Sequence, residues 1–257
     1  MAEPKIKPFP IPISAMFQRG LRGYVANAVP LTLAAAATFG VLAVSVIPVL
    51  GEENRFRLLA VTTLGLIVAT AAALPWFSYA LNAARNEPVD IAAPFRDGSR
   101  FVDQLVCSFW FWAAFFLGFQ YLRTLWGPIL FFLVVVLYAF FGFVVADGTV
   151  QGPLRALGTS VRLGEKRRIA LFAIWVLFFL FNFAAALPIG WGVNPVTVVV
   201  TVITLAMTTS ISMVAWACLY DTLDDLLVPL PPAQRPQWGA RRKPKKSRKS
   251  RKPRRRR

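Results

Sequence analysis

The sequence predicts an all-α integral membrane protein with six transmembrane helices, arranged as three helical hairpins with short cytoplasmic amphipathic helices. Three observations predict it. Six apolar stretches run for 18 residues or more with short polar breaks between them, and about 20 apolar residues suffice to cross a bilayer. The chain is 56% hydrophobic with a mean hydropathy of +0.55, against roughly 45–50% apolar residues in soluble domains. Finally, Lys and Arg gather on one side of the alternating connections, the asymmetry that orients helices in a membrane.

In chain order, residues 1–12 are short, basic and proline-rich (Pro4, Pro8, Pro10, Pro12) and predict an extended segment. Ile13, Met16, Phe17 and Leu21 then share one side of a helical turn or two, with Gln18, Arg19 and Arg22 on the other. The first span is 24–50, too long for a signal-peptide core. The second is 58–81, and Trp76 and Tyr79 near its end are the aromatic pair expected at headgroup level. A polar loop, 82–104, carries Phe95, Val102 and Leu105 at helical spacing among Arg96, Arg100 and Asp103. The third and fourth spans, 105–122 and 125–146, are joined only by Arg123 and Thr124 and form a tight hairpin.

The next segment, 152–168, is the clearest in-plane helix. Arg155, Thr159, Arg162 and Lys166 fall on one face, and Leu154, Leu157 and Val161 cover the other. It is expected to run without a break into the fifth span, 169–188. The uncharged turn 190–195 leads to the sixth, 196–220. Positions 15–22 and 93–100 match at Ala, Phe, Gly and Arg, and Leu157, Ser160 and Arg162 occupy the Phe, Gly and Arg places of a third copy. The expected unit is an in-plane helix followed by a hairpin, used three times.

Without the tail, Lys and Arg number 12 on the side of the termini and 3 on the other. Both termini are therefore expected in the cytoplasm. Fourteen further basic residues lie in 234–257 with no acid among them, so the net charge of +17 belongs mainly to a proline-rich, polybasic tail from 226 onward. Such a tail cannot bury enough surface to fold alone.

The chain resembles the uncharacterised YciC-like six-span bacterial proteins and the membrane domain attached to some glycerophosphoryl diester phosphodiesterases. The resemblance rests on Leu157-Gly-Thr-Ser160, on Ala80-Leu-Asn-Ala-Ala-Arg-Asn-Glu-Pro88 and on Ala217-Cys-Leu-Tyr220, and covers about residues 13–225. It implies a bacterial inner-membrane location and supplies no catalytic residues. The phosphodiesterase catalytic domain has no counterpart here, and the polybasic tail is not part of the pattern.

Residue chemistry points away from catalysis. There is no histidine, the commonest general base at neutral pH, and no Gly-rich phosphate loop. Cys107 and Cys218 have neither metal nor redox spacing. No catalytic residue, cofactor or metal site is expected. Asp221, Asp224 and Asp225 are expected to pair with Lys166, Arg167 and Arg168 rather than to hold a cation. Polar residues at depth are few. Thr197, Thr201, Thr204, Thr208 and Ser212 form a stripe along the sixth span, and Asn182 lies mid-way along the fifth. They serve either helix packing or the lining of a polar cavity. Ala36-x-x-x-Gly40 and Ala114-x-x-x-Gly118 are expected close-packing sites.

Arg155, Arg162, Lys166, Arg167 and Arg168, with Arg241, Arg242, Lys243, Lys245 and Lys246 of the tail, are candidate contacts for anionic lipid headgroups. The tail's charge equally suits solvation, or contact with a ribosome or nucleic acid, although it lacks aromatic residues for base stacking beyond Trp238. The functional expectation is a non-enzymatic accessory or scaffold protein that organises protein partners or anionic lipid at the cytoplasmic face. The rival is a transporter for a neutral or lipidic solute, which a continuous cavity lined by the sixth-span hydroxyls would favour.

Overall fold

The structure, a computed structural model, describes residues 12–46, 53–121, 126–165, 167–192 and 195–227. The proline-rich N-terminal segment, the Arg123 turn, Lys166 and the polybasic tail lie outside the described residues. Ten helices follow in order: α1 (Ile13–Ala26), α2 (Ala28–Val46), α3 (Arg55–Ala72), α4 (Leu74–Ala84), α5 (Gly98–Gln120), α6 (Trp126–Leu137), α7 (Phe141–Asp147), α8 (Pro153–Leu163), α9 (Arg168–Ala186) and α10 (Pro195–Leu227). No strand occurs among the described residues. Six stretches are long and apolar enough to cross a membrane, namely Ala28–Ser45, Arg55–Ala72, Gly98–Gly118, Trp126–Asp147, Arg168–Ala186 and Val199–Asp224.

Two expected spans are broken, for different reasons. Pro75 has no N–H to continue the ladder, so the second span divides at Ala73 into α3 and α4. The Thr70 carbonyl beside the break receives Gln104 Nε2 from α5 at 3.1 Å, and Trp112 Nε1 donates to Thr70 Oγ1 at 2.8 Å. The fourth span has no proline at its break, between α6 and α7. There the hydroxyl of Ser160 on α8 donates to the Leu137 carbonyl and accepts from Phe140 N, both at 3.1 Å. A side chain inserted into the backbone ladder is a recognised cause of a kink. Irregular backbone among apolar helices persists where protein groups satisfy it.

Packing is densest along α10, whose 33 residues extend about 50 Å. α1 lies along its C-terminal half, with α4, α9 and α2 also against it. The approach of α1 is close because Gly20 has no side chain: a Cβ there would stand 2.7 Å from the Ile211 carbonyl oxygen and 3.0 Å from Ala215 Cβ. Consecutive long helices also pack in pairs, α2 with α3, α5 with α6 and α9 with α10.

Several boundaries differ from the sequence reading. The buried face of α1 is Met16, Gly20, Gly23 and Tyr24, while Ile13 and Leu21 are exposed. Segment 93–105 is not a separate in-plane helix. A 3-10 turn, Ala93–Phe95, precedes α5, which begins at Gly98 and continues through the third span. α8 is separated from α9 by a turn at Gly164, where a Cβ would meet Leu171 and the Val136 carbonyl at 3.3 Å. Its buried face is Ala156, Leu157, Ser160 and Leu163, leaving Leu154 exposed, because burying Ser160 at the break sets the rotation of the helix. The three matched positions of the repeat have different surroundings: Gly20 is close-packed, Gly98 has open space around it and Ser160 is fully buried. Gly118 packs against α6, whereas Gly40 faces open space and is not a packing site.

Candidate functional site

The broken helices frame a cavity. About 330 Å³ in volume and half-enclosed, it lies among α2, α3, α4, α5, α6, α7, α9 and α10. Ten of its nineteen lining residues are aromatic, and none is Asp, Glu, Lys or Arg. Rings hold rings around it: Phe39 meets Trp76 edge-on at 5.8 Å, Phe77 meets Phe143 at 5.1 Å, and Phe111 packs on Phe141 at 5.5 Å. Both breaks contribute to the wall, through Ala73 and Trp76 at one and Tyr138, Ala139 and Phe141 at the other.

Most polar atoms of the wall are already engaged. Thr38 donates to the Ala34 carbonyl, and Thr70 donates to the Leu66 carbonyl while accepting from Trp112. Trp76 is the exception: the residue is 6% exposed and its Nε1–H has no acceptor. A buried donor left unpaired costs about 1–3 kcal/mol.

One end of the bundle is closed by ions. Arg85, at the C-terminal cap of α4, places Nη1 2.6 Å from Asp147 Oδ1 at the end of α7. Its other edge forks onto Asp221 of α10, with Nη2 to Oδ1 at 2.7 Å and Nε to Oδ1 at 3.1 Å. Tyr220 donates from its hydroxyl to Asp147 Oδ2 at 3.3 Å and stacks on Phe143 of the cavity wall at 5.9 Å. Burial works to lower the Arg85 pKa, but hydrogen bonds to Asp221 and Asp147 outweigh it and raise the pKa above the ordinary value, so the cation persists at any working pH. Alongside, Arg100 donates to the Ala146 carbonyl at 3.0 Å and packs on Gly148, whose φ of 68° ends α7 in the left-handed conformation that glycine permits. The partner expected for Asp221 was the basic run 166–168. The guanidinium that holds it is that of Arg85, because α4 and α10 are packed neighbours and end together.

No family model, curated protein or solved structure matches the chain. The site is therefore read from its own chemistry.

The hydroxyl stripe does not line this cavity or a second one of about 400 Å³ bounded by α2, α4 and the loop of Ile91 and Phe95. Thr204 donates to the Ala185 carbonyl at the end of α9 at 2.8 Å, and Asn182 of α9 donates to Ser212 at 3.4 Å. Thr208 donates to Leu205 within α10, and Thr197 to the Gly192 carbonyl. The buried Thr201 hydroxyl has no partner. Arg155, Arg162 and Arg168 are exposed and Arg167 is half-buried. Arg241, Arg242, Lys243, Lys245 and Lys246 lie outside the described residues.

Trp76 and Arg85 were the residues that sequence reasoning misplaced, the first into an aromatic belt and the second among loop charges. The signal that could have found Trp76 is Pro75, which ends a helix inside an apolar run and turns the next residues inward.

Proposed function

We propose that the protein is a non-enzymatic, multi-pass accessory protein of the bacterial inner membrane that houses a lipidic ligand in its aromatic cavity. In this reading the six spans pair as three hairpins, and α1 and α8 are in-plane helices at the cytoplasmic face, where both termini lie. The resemblance to YciC-like proteins supports that setting. The cavity carries the reading. Its volume lies in the range of about 300–1,000 Å³ typical of ligand sites, and such sites are mainly apolar with few polar groups. The walls offer hydrocarbon and aromatic contact and no counter-ion, which suits an uncharged, lipid-soluble occupant. The basic residues of α8 and of the tail would meet anionic headgroups, each contributing about 1 kcal/mol near the surface. Solute permeation is the weaker reading, since the α10 hydroxyls bond to α9 or within α10 and do not line the cavity.

The test is a cavity-filling substitution. Ala139 lies on the wall, and Ala139→Phe places a ring in the space. Protein purified in mild detergent should carry a lipidic molecule detectable by mass spectrometry, and the variant should lose it while keeping its helical circular dichroism. Equal retention by the two proteins would remove the cavity from the reading.

A further inference from the structure

We propose that the cavity occupant is a lipid-soluble quinone, a neutral planar ring carrying carbonyl acceptors on an apolar tail. This rests on the reading of the cavity as a lipid site and specifies the lipid. Three features of the wall select the class. Aromatic residues make up ten of nineteen lining positions, against 14% of the chain. A flexible acyl chain is served as well by Leu or Val, whereas rings offer stacked or edge-on contact to another planar ring. The wall also holds a buried donor with no acceptor, Trp76 Nε1–H, while the hydroxyls of Thr38 and Thr70 and the Trp112 N–H are occupied. An occupant bearing a carbonyl oxygen satisfies that donor; a saturated chain leaves it unpaired. Tyr138 brings a phenol to the same wall as a further donor. Lastly, no charged side chain lines the space, so a carboxylate or phosphate there would lack a counter-ion. A neutral ring needs none. Binding involves the oxidised ring and moves no electron.

The experiment compares two probes on the full chain in nanodiscs of fixed lipid composition. A decyl-substituted benzoquinone supplies ring, tail and acceptors, and decylbenzene supplies ring and tail alone. Bound copies are counted by native mass spectrometry across a titration. The quinone should bind as one saturable copy and about fivefold more tightly than decylbenzene, the worth of one net hydrogen bond. Trp76→Phe keeps the ring and removes the donor, so the quinone should weaken about fivefold while decylbenzene changes less than twofold. Ala139→Phe should exclude both probes. Equal affinity for the two probes on the unmodified protein overturns the quinone assignment and leaves the lipid cavity standing. An unchanged quinone affinity in a folded Trp76→Phe protein overturns it likewise. If neither probe binds, the lipid-cavity reading falls with it.

Discussion

Arg85 shows how one side chain holds three helices. It is the only cation bonded to Asp147 and Asp221 among the described ion pairs, and its fork spans the ends of α4, α7 and α10. Side chains here are 9–26% exposed, so neither carboxylate is freely solvated if the guanidinium is removed. Loss of one partner from a buried ionic group costs about 3–5 kcal/mol, because the remaining charge stays desolvated. Arg85→Met should therefore lower unfolding stability in detergent by that order. Arg85→Lys should fall between, keeping the charge and losing the planar fork. Denaturant titration monitored by circular dichroism decides it; an Arg85→Met protein as stable as the parent would show that the cluster is not a joint. The residue lay in plain view within Ala80-Leu-Asn-Ala-Ala-Arg-Asn-Glu-Pro88, but sequence gives charges without partners. Asp147 and Asp221 are 62 and 136 residues away, and only tertiary packing brings them within hydrogen-bond reach.

The helices themselves were more legible than their joints. Apolar length alone located all six stretches long enough to cross a membrane, since that signal is summed over about 20 residues. Breaks depend on single atoms and were missed, although Pro75 gave one away in principle. The α6–α7 break has no such mark, because its cause is Ser160 on another helix. Ser160 was read as a repeat position equivalent to Gly20 and Gly98; its role in the structure is to replace a turn of backbone hydrogen bonding. Ser160→Ala should leave the Leu137 carbonyl and the Phe140 N–H unpaired, at a cost of about 1–3 kcal/mol. Hydrogen exchange should quicken in peptides covering 137–145 and stay unchanged in α9. Uniform or absent change would mean that the break holds without the hydroxyl. The cavity was illegible for the same reason as the break. Its walls come from eight helices, and no periodicity within one helix records the space left between them.

For the molecule as a whole, the ion cluster and the charge count converge on a topology. Arg85, Asp147 and Asp221 follow the second, fourth and sixth apolar stretches, and their contact places those three chain exits at one end of the bundle. Arg100, bonded to the Ala146 carbonyl, brings Ser99 to that end as well. The connections on this side, with the N-terminal segment, carry 12 Lys and Arg without the tail, against 3 in the opposite turns. A bias of that size places the basic end in the cytoplasm, and a polybasic tail on the same side reinforces it. Substituted cysteines test this in a background lacking Cys107 and Cys218, both buried in the native protein. Glu53 and Gly192 are exposed and belong to the opposite end, and Ser99 to the basic end. Glu53 is preferred to its neighbour, since Asn54 caps α3 by accepting from Phe56 N and Arg57 N, and loss of such a cap costs about 1 kcal/mol. In intact cells an impermeant thiol reagent should label Glu53→Cys and Gly192→Cys, and should label Ser99→Cys only after the membrane is opened. Labelling of Ser99→Cys alone in intact cells would invert the protein in the membrane and remove α8 and the tail from the anionic leaflet.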